Sequence, residues 1–202
     1  MKYSDIDKRK TAFIFELDNV LYPEKDYLFQ VYYLFAALLE YVEQIDAKAA
    51  TDLMVSTYLE KGKYEVFNTI REKYHLKEAY RANFNHLLVT ANIPLKLLLY
   101  KNMLDLLQEI VVDRKKLFIV TNGDPAQQLN KIKHTEWHGL GQYLICYFAN
   151  ETSPKPEPDV IHQLLKDHGL QRRDIIMIGY TVADEFCAQA SGIDYINAAQ
   201  FL

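Results

Sequence analysis

The chain has 202 residues, half of them hydrophobic and a quarter charged, with a formal net charge of −4. That size accommodates one substantial core, or one core with a modest insertion, and the composition is that of a soluble globular protein. No basic run marks a nucleic-acid surface.

Met1 to Thr11 alternates Lys and Asp and lacks the apolar stretch of a signal peptide. Residues 12–17 read as a buried strand ending in acid. From about 25 to 110 only Gly62 and Pro94 interrupt a region with apolar residues at helical spacing. Phe29, Tyr32, Tyr33, Ala36, Leu39 and Val42 make one helix face. Further helices are expected over 47–61, 64–74 and 77–91. Tyr27 to Val42 is the most apolar long stretch, but it contains Gln30 and Glu40 and is too short to span a membrane.

Beyond this block the pattern changes. Lys116 to Thr121 reads as a strand, followed by turn chemistry at Asn122-Gly123-Asp124-Pro125. A helix opened by Pro125 runs to Lys133. Leu144 to Phe148 is a short apolar run. Asp159 to His168 is a helix ended by Gly169. Asp174 to Gly179 is another buried strand, Ala183 to Ala190 a helix closed by Gly192, and Asp194 to Asn197 a last short strand. Strands alternating with helices predict βαβ units and a mostly parallel sheet. The helical block after the first strand is too long for a simple crossover and reads as an inserted cap. The expected division is a core over 1–22 and 98–202 and a helical cap over 23–97.

Ligands bind at the carboxyl ends of strands in such sheets. Four elements fall there: Glu16 with Asp18, Thr121 with Asn122, Lys155, and Asp184. Carboxylates, a hydroxyl with turn amides, and an ammonium suit phosphoryl transfer. Each alone has an ordinary explanation as a turn starter, a loop lysine or a helix-terminal charge. Their order and spacing together outweigh those explanations. His134 and His138 stand four apart, but the order is not that of a zinc motif, and surface or packing roles are expected. Cys187 reads as structural. The two cysteines form neither a metal spacing nor a disulfide framework, so a reducing, cytoplasmic location is expected.

The four segments resemble the motifs of the haloacid dehalogenase (HAD) superfamily. Ile14 to Pro23 is similar to its first motif, Val120 to Gly123 to its second, Glu151 to Asp159 to its third, and Ile176 to Asp184 to its fourth. The resemblance implies a Rossmann-like parallel α/β core with an inserted all-helical cap of the C1 type. It implies a hydrolase acting on a small phosphorylated molecule with Mg²⁺ as cofactor. Position 16 would then be the nucleophile and Asp18 the acid/base. Thr121, Asn122 and Lys155 would bind phosphate, and Glu16, Asp18 and Asp184 would hold the metal. Leu21-Tyr22-Pro23 and Thr121-Asn122-Gly123 are close to nucleotidase-like and phosphoglycolate-phosphatase-like versions.

Two positions depart from the family pattern. Glu16 stands where the family has a nucleophilic Asp, and Tyr180 where it has a metal-binding Asp. Glu carries its carboxylate about 1.5 Å further from the backbone. A phenol is a poor Mg²⁺ ligand beside the hard oxygens the ion prefers. Impaired or lost activity with weak or absent Mg²⁺ binding is therefore expected. The alternative is a non-catalytic relative that binds a small anion or a protein partner, including a homodimer through the aromatic cap.

Overall fold

The computed structural model describes residues 1–202, which divide into two compact units. The first comprises Met1–Glu24, Leu97–Leu129 and Thr135–Leu202; the second comprises Lys25–Lys96 with Asn130–His134.

The first unit is built on a five-stranded parallel sheet. Its strands are β1 (Ala12–Phe15), β3 (Lys116–Thr121), β5 (Leu144–Phe148), β6 (Ile175–Gly179) and β7 (Asp194–Asn197), in the order β5-β3-β1-β6-β7. Every residue of β1 and β6 is buried, as strands covered on both faces require. Parallel pairing aligns Phe15 with Ile119 on one side and Ile178 on the other. Side chains alternate between the two faces. Ile14, Phe118, Val120 and Met177 meet Val160, Ile161 and Leu164 of α7 (Asp159–His168), with Cys187 and Ala188 of α8 (Val182–Ser191). Burial pushes the Cys187 thiol up to about 11, which fits a packing role and leaves little thiolate at neutral pH.

The chain runs outward from β1 through β3 to β5, then returns to β6 and β7. β1 is therefore the point at which strand order reverses, the place where such sheets bind ligands. α5 (Lys101–Val112) lies inside the stretch read from sequence as one helical block. It belongs to the first unit and buries Met103, Leu106, Leu107 and Ile110 at helical spacing. A two-residue ribbon of β2 (Leu97–Leu98) on β4 (Thr135–Glu136) is too short to leave a sequence pattern.

The second unit is helical: most of α1 (Glu24–Glu43), then α2 (Ala47–Lys61), α3 (Val66–Tyr74) and α4 (Tyr80–Thr90). α2 starts where Asp46 accepts from the Ala49 amide at 2.6 Å and ends at Gly62, whose φ of 86° an L side chain rarely adopts. The core is aromatic. Phe84 packs edge-on against Phe35 at 5.1 Å and lies 5.6 Å from Phe67, over which the Arg81 guanidinium sits at 4.3 Å. The aromatic enrichment read from the sequence is thus largely helix packing. α6 (Pro125–His134) contributes its last five residues to this unit. There Asn130 donates to the Tyr27 hydroxyl at 3.0 Å and to the Ala91 carbonyl at 2.9 Å. No helix is long and apolar enough to cross a membrane.

Candidate active site

The carboxyl ends of β1, β3 and β6 and the loop between β5 and α7 bring Glu16, Thr121, Lys155 and Asp184 together. Glu16 leaves β1 with its amide still bonded to the Ile178 carbonyl at 3.1 Å, so its backbone is fixed by the sheet. The chain then turns sharply. Asn19 takes a positive φ of 60°, and its side chain accepts from the Glu24 amide at 3.0 Å. Asn is one of the few residues that tolerate that conformation.

Lys155 is the hub. Its buried ammonium donates to Glu16 Oε2, to Asp184 Oδ1 at 2.5 Å and to the Val120 carbonyl at 3.1 Å, which engages all three of its protons. Asn122 positions it: Oδ1 accepts from the Lys155 amide and Nδ2 donates to the Lys155 carbonyl, both at 2.9 Å. The Asn122 side chain, expected to meet phosphate, is therefore committed to the loop that carries the lysine.

Glu16 is held at both oxygens. Oε1 accepts from the Thr121 hydroxyl and from the Leu17 amide at 3.0 Å, while Oε2 takes Lys155. Thr121 Oγ1 in turn accepts from Gln128 Nε2 at 2.7 Å, and Gln128 also donates to Asp18 Oδ2 at 3.1 Å. Asp18 Oδ1 accepts from the Tyr22 hydroxyl at 3.1 Å. Burial, reinforced by Asp18, drives the Tyr22 phenol well above its ordinary range, so it stays protonated as a donor. Gln128 and Tyr22 were not singled out from the sequence. Gln128 lies one turn into a helix and Tyr22 within a resemblance motif, and only the folded chain brings them to Asp18.

Asp184 is saturated differently. Its Oδ2 accepts from the Tyr180 amide at 3.0 Å, the Thr181 amide at 2.9 Å and the Thr181 hydroxyl at 2.8 Å. Thr181 and Asp184 form the capping box that opens α8. Burial alone would raise the Asp184 carboxyl, but Lys155 and the Thr181 bonds outweigh it and hold the carboxyl down. Burial works against the Lys155 charge, and Glu16 with Asp184 outweighs that too, so its ammonium is held up. Burial pushes the Glu16 carboxyl up, only partly opposed by Lys155.

These donors do not fit a Mg²⁺ ion. Asp184 is engaged by an ammonium, two amides and a hydroxyl, and Glu16 is neutralised by the same ammonium. Position 180 presents a half-exposed phenol instead of a carboxylate. Nowhere does the chain bring three His, Cys, Asp or Glu side chains into an arrangement that could hold a metal. The magnesium role expected for Glu16, Asp18 and Asp184 therefore lacks the open oxygen set that an octahedral ion demands. His134 places its ring against the Asn130 carbonyl at 2.9 Å at the end of α6, while His138 lies beyond β4. The two do not share a helix and form no metal pair.

Gly179 is required by close approach. A Cβ there would lie 2.5 Å from the Asp184 Cβ and 3.0 Å from a Tyr195 ring carbon. Gly179→Ala is expected to lower stability by about 1–3 kcal/mol by overpacking the strand end. A urea midpoint equal to wild type would show that Asp184 can move aside.

The family model described as haloacid dehalogenase-like hydrolase matches residues 13–198. A phosphoglycolate phosphatase from Photobacterium profundum is 36% identical over 75 residues, a match covering 36% of this chain and 31% of that protein. Among solved structures, a HAD phosphatase from Thermococcus onnurineus is similar at 21% identity and a TM-score of 0.57, covering 93% of this chain and 85% of the other. A hydrolase from Streptococcus pneumoniae is similar at 17% identity and a TM-score of 0.56, covering 93% and 92%. At those identities the likeness establishes the fold.

Proposed function

This chain belongs to the haloacid dehalogenase-like hydrolase family, and from that premise we propose a phosphatase scaffold for a small phosphomonoester whose turnover is impaired or lost through Glu16 and Tyr180. A nucleotide-like or phosphoglycolate-like ester is the substrate class, supported by the partial match to a phosphoglycolate phosphatase. The observation that carries the reading is the engagement of Glu16 by Lys155 and Thr121, the two side chains the scaffold offers to a phosphoryl group.

Were the chemistry retained, a Glu16 carboxylate oxygen would attack phosphorus and Asp18 would give its proton to the departing alkoxide. Asp18 would then take a proton from water, whose oxygen attacks phosphorus and releases Glu16 with inorganic phosphate. That sequence needs a carboxylate oxygen free of its donors and aligned with phosphorus, since about 1 Å of misplacement costs roughly 100-fold. Glu16 has no oxygen free of a donor. Phosphatases of this family generally use Mg²⁺, and the closed carboxylates favour weak or absent binding here.

A second reading is a binding module without turnover. It is favoured by exposed apolar rings on the helical unit, Tyr41 and Tyr64, and by Phe186 on α8 with Tyr180 just before it.

The test is initial-rate assay of the wild-type chain on a panel of phosphomonoesters with Mg²⁺ or Mn²⁺. The expected result is no metal-dependent turnover above an EDTA control. Substantial turnover would overturn the reading and make Glu16 a working nucleophile.

A further inference from the structure

We infer that the Glu16 carboxylate is the resident anion of a small-oxyanion cradle, filling from within the place a free oxyanion would take. Three donors converge on it: the Lys155 ammonium, the Thr121 hydroxyl and the Leu17 amide. They are charged, polar and main-chain respectively, and the two donating side chains are buried, Thr121 at 0% and Lys155 at 4% exposure. Such a set recognises an oxyanion by charge and by directed hydrogen bonds. Each donor is already satisfied by one side chain of the same protein. Glu16, Lys155 and Asp184 together carry −1, from two carboxylates and one ammonium. A second anion would meet no open donor and an unfavourable field.

This inference rests on the reading of the site as a phosphoryl scaffold, and extends it by naming what occupies the scaffold. It has a chemical signature. Truncating Glu16 to Ala removes two oxygens and two carbons, the heavy atoms of acetate. The trio then carries zero net charge, and Lys155, Thr121 and Leu17 each lose an acceptor. The vacated cradle takes a small oxyanion, acetate as the excised fragment or phosphate as the tetrahedral counterpart.

The experiment measures thermal melting and calorimetric binding in EDTA, with sodium acetate, sodium phosphate or sodium chloride at matched ionic strength. Glu16→Ala is expected to melt below wild type and to recover by about 5 °C or more at saturating acetate or phosphate. Chloride, wild type and Glu16→Gln, whose amide keeps the cradle filled, are expected to show no such recovery. Preference for acetate over phosphate marks a cradle sized for a carboxylate; the reverse marks one sized for a phosphoryl group; either supports the inference. If the Ala variant does not fold, Glu16→Ser carries the same comparison, because it too removes the carboxylate from the cradle while Lys155 keeps Asp184 and the Val120 carbonyl. No oxyanion-specific recovery by the truncated variant, or equal binding by wild type, overturns the inference. Neither outcome depends on turnover, so it stays distinct from failure of the functional reading, which only hydrolysis by the wild-type chain can cause.

Discussion

Replacing Glu16 and Tyr180 together by Asp is expected to raise Mg²⁺-dependent hydrolysis of an aryl phosphate at least about 100-fold over the wild-type chain. The gain comes from two coupled changes. Shortening position 16 by one C–C bond, about 1.5 Å, draws its carboxylate back from Lys155 and Thr121. Both donors then face the space in front of the shortened side chain, where a phosphoryl group would sit. An Asp at 180 restores a hard oxygen at the end of β6. The substitution is sterically mild, because the Tyr180 side chain is half-exposed and its amide, not its ring, bonds Asp184. A new acid just before α8 also sits favourably against the helix N-terminus.

The two changes should not act additively. Tyr180→Asp alone leaves Glu16 across the cradle, and little gain is expected. Glu16→Asp alone opens the cradle but leaves the metal set short of an oxygen. Residues that act as a unit show large interaction energies in such cycles. The check is initial rates for wild type, both single variants and the double variant, with Mg²⁺ and with EDTA. A double variant as inactive as wild type would mean that Gln128, Tyr22 or the helical unit has also departed from what turnover needs.

How much of this was legible beforehand follows from the kind of signal each feature leaves. The strands over 116–121 and 194–197 and the helices over 47–61 and 159–168 have the bounds the sequence suggests, because periodicity and Gly or Pro punctuation both mark them, and the apolar run over 144–148 proves to be a strand. The bounds of α4 and β6 differ from expectation by one to three residues, where capping decides and pattern does not. The helix α5 was not singled out, since one amphipathic helix looks like the next, although the expected division already placed residues from 98 onward in the core. The substituted positions were visible as letters. That the Glu16 carboxylate lies against Lys155, Thr121 and Leu17 was not, because it depends on where three strand ends converge. Asn122 shows the same limit: its identity fits a phosphate motif, yet its side chain is bonded to the backbone of Lys155. Sequence order placed the participants, and hydrogen-bond geometry assigned their tasks.

Lys155→Met is expected to cost about 3–5 kcal/mol, the range for removing one partner of a buried ion pair. Methionine keeps much of the stem's volume, so the loss is one of charge more than of packing. Glu16 and Asp184 would remain 6% and 1% exposed with no cation between them. In wild type, Lys155 is held up, so its contribution is fully present below the ordinary lysine value and is lost only as pH rises through the higher folded value. Asp184 is held down, so its contribution is present above the ordinary aspartate value and is lost as pH falls through the lower folded one. Neither loss falls near neutrality. In the variant the sign reverses for Asp184, while Glu16, already pushed up by burial in wild type, loses the opposing charge of Lys155. Burial and mutual repulsion would raise both, so the penalty is absent where they are protonated and grows as pH rises through their unfolded values. The stability gap between wild type and Lys155→Met should therefore be wide at pH 7 and narrow towards about pH 4.5. Urea unfolding of both proteins at the two pH values measures it. A gap that stays constant would mean that Lys155 stabilises by packing, and that the two carboxylates find their neutralising charge elsewhere.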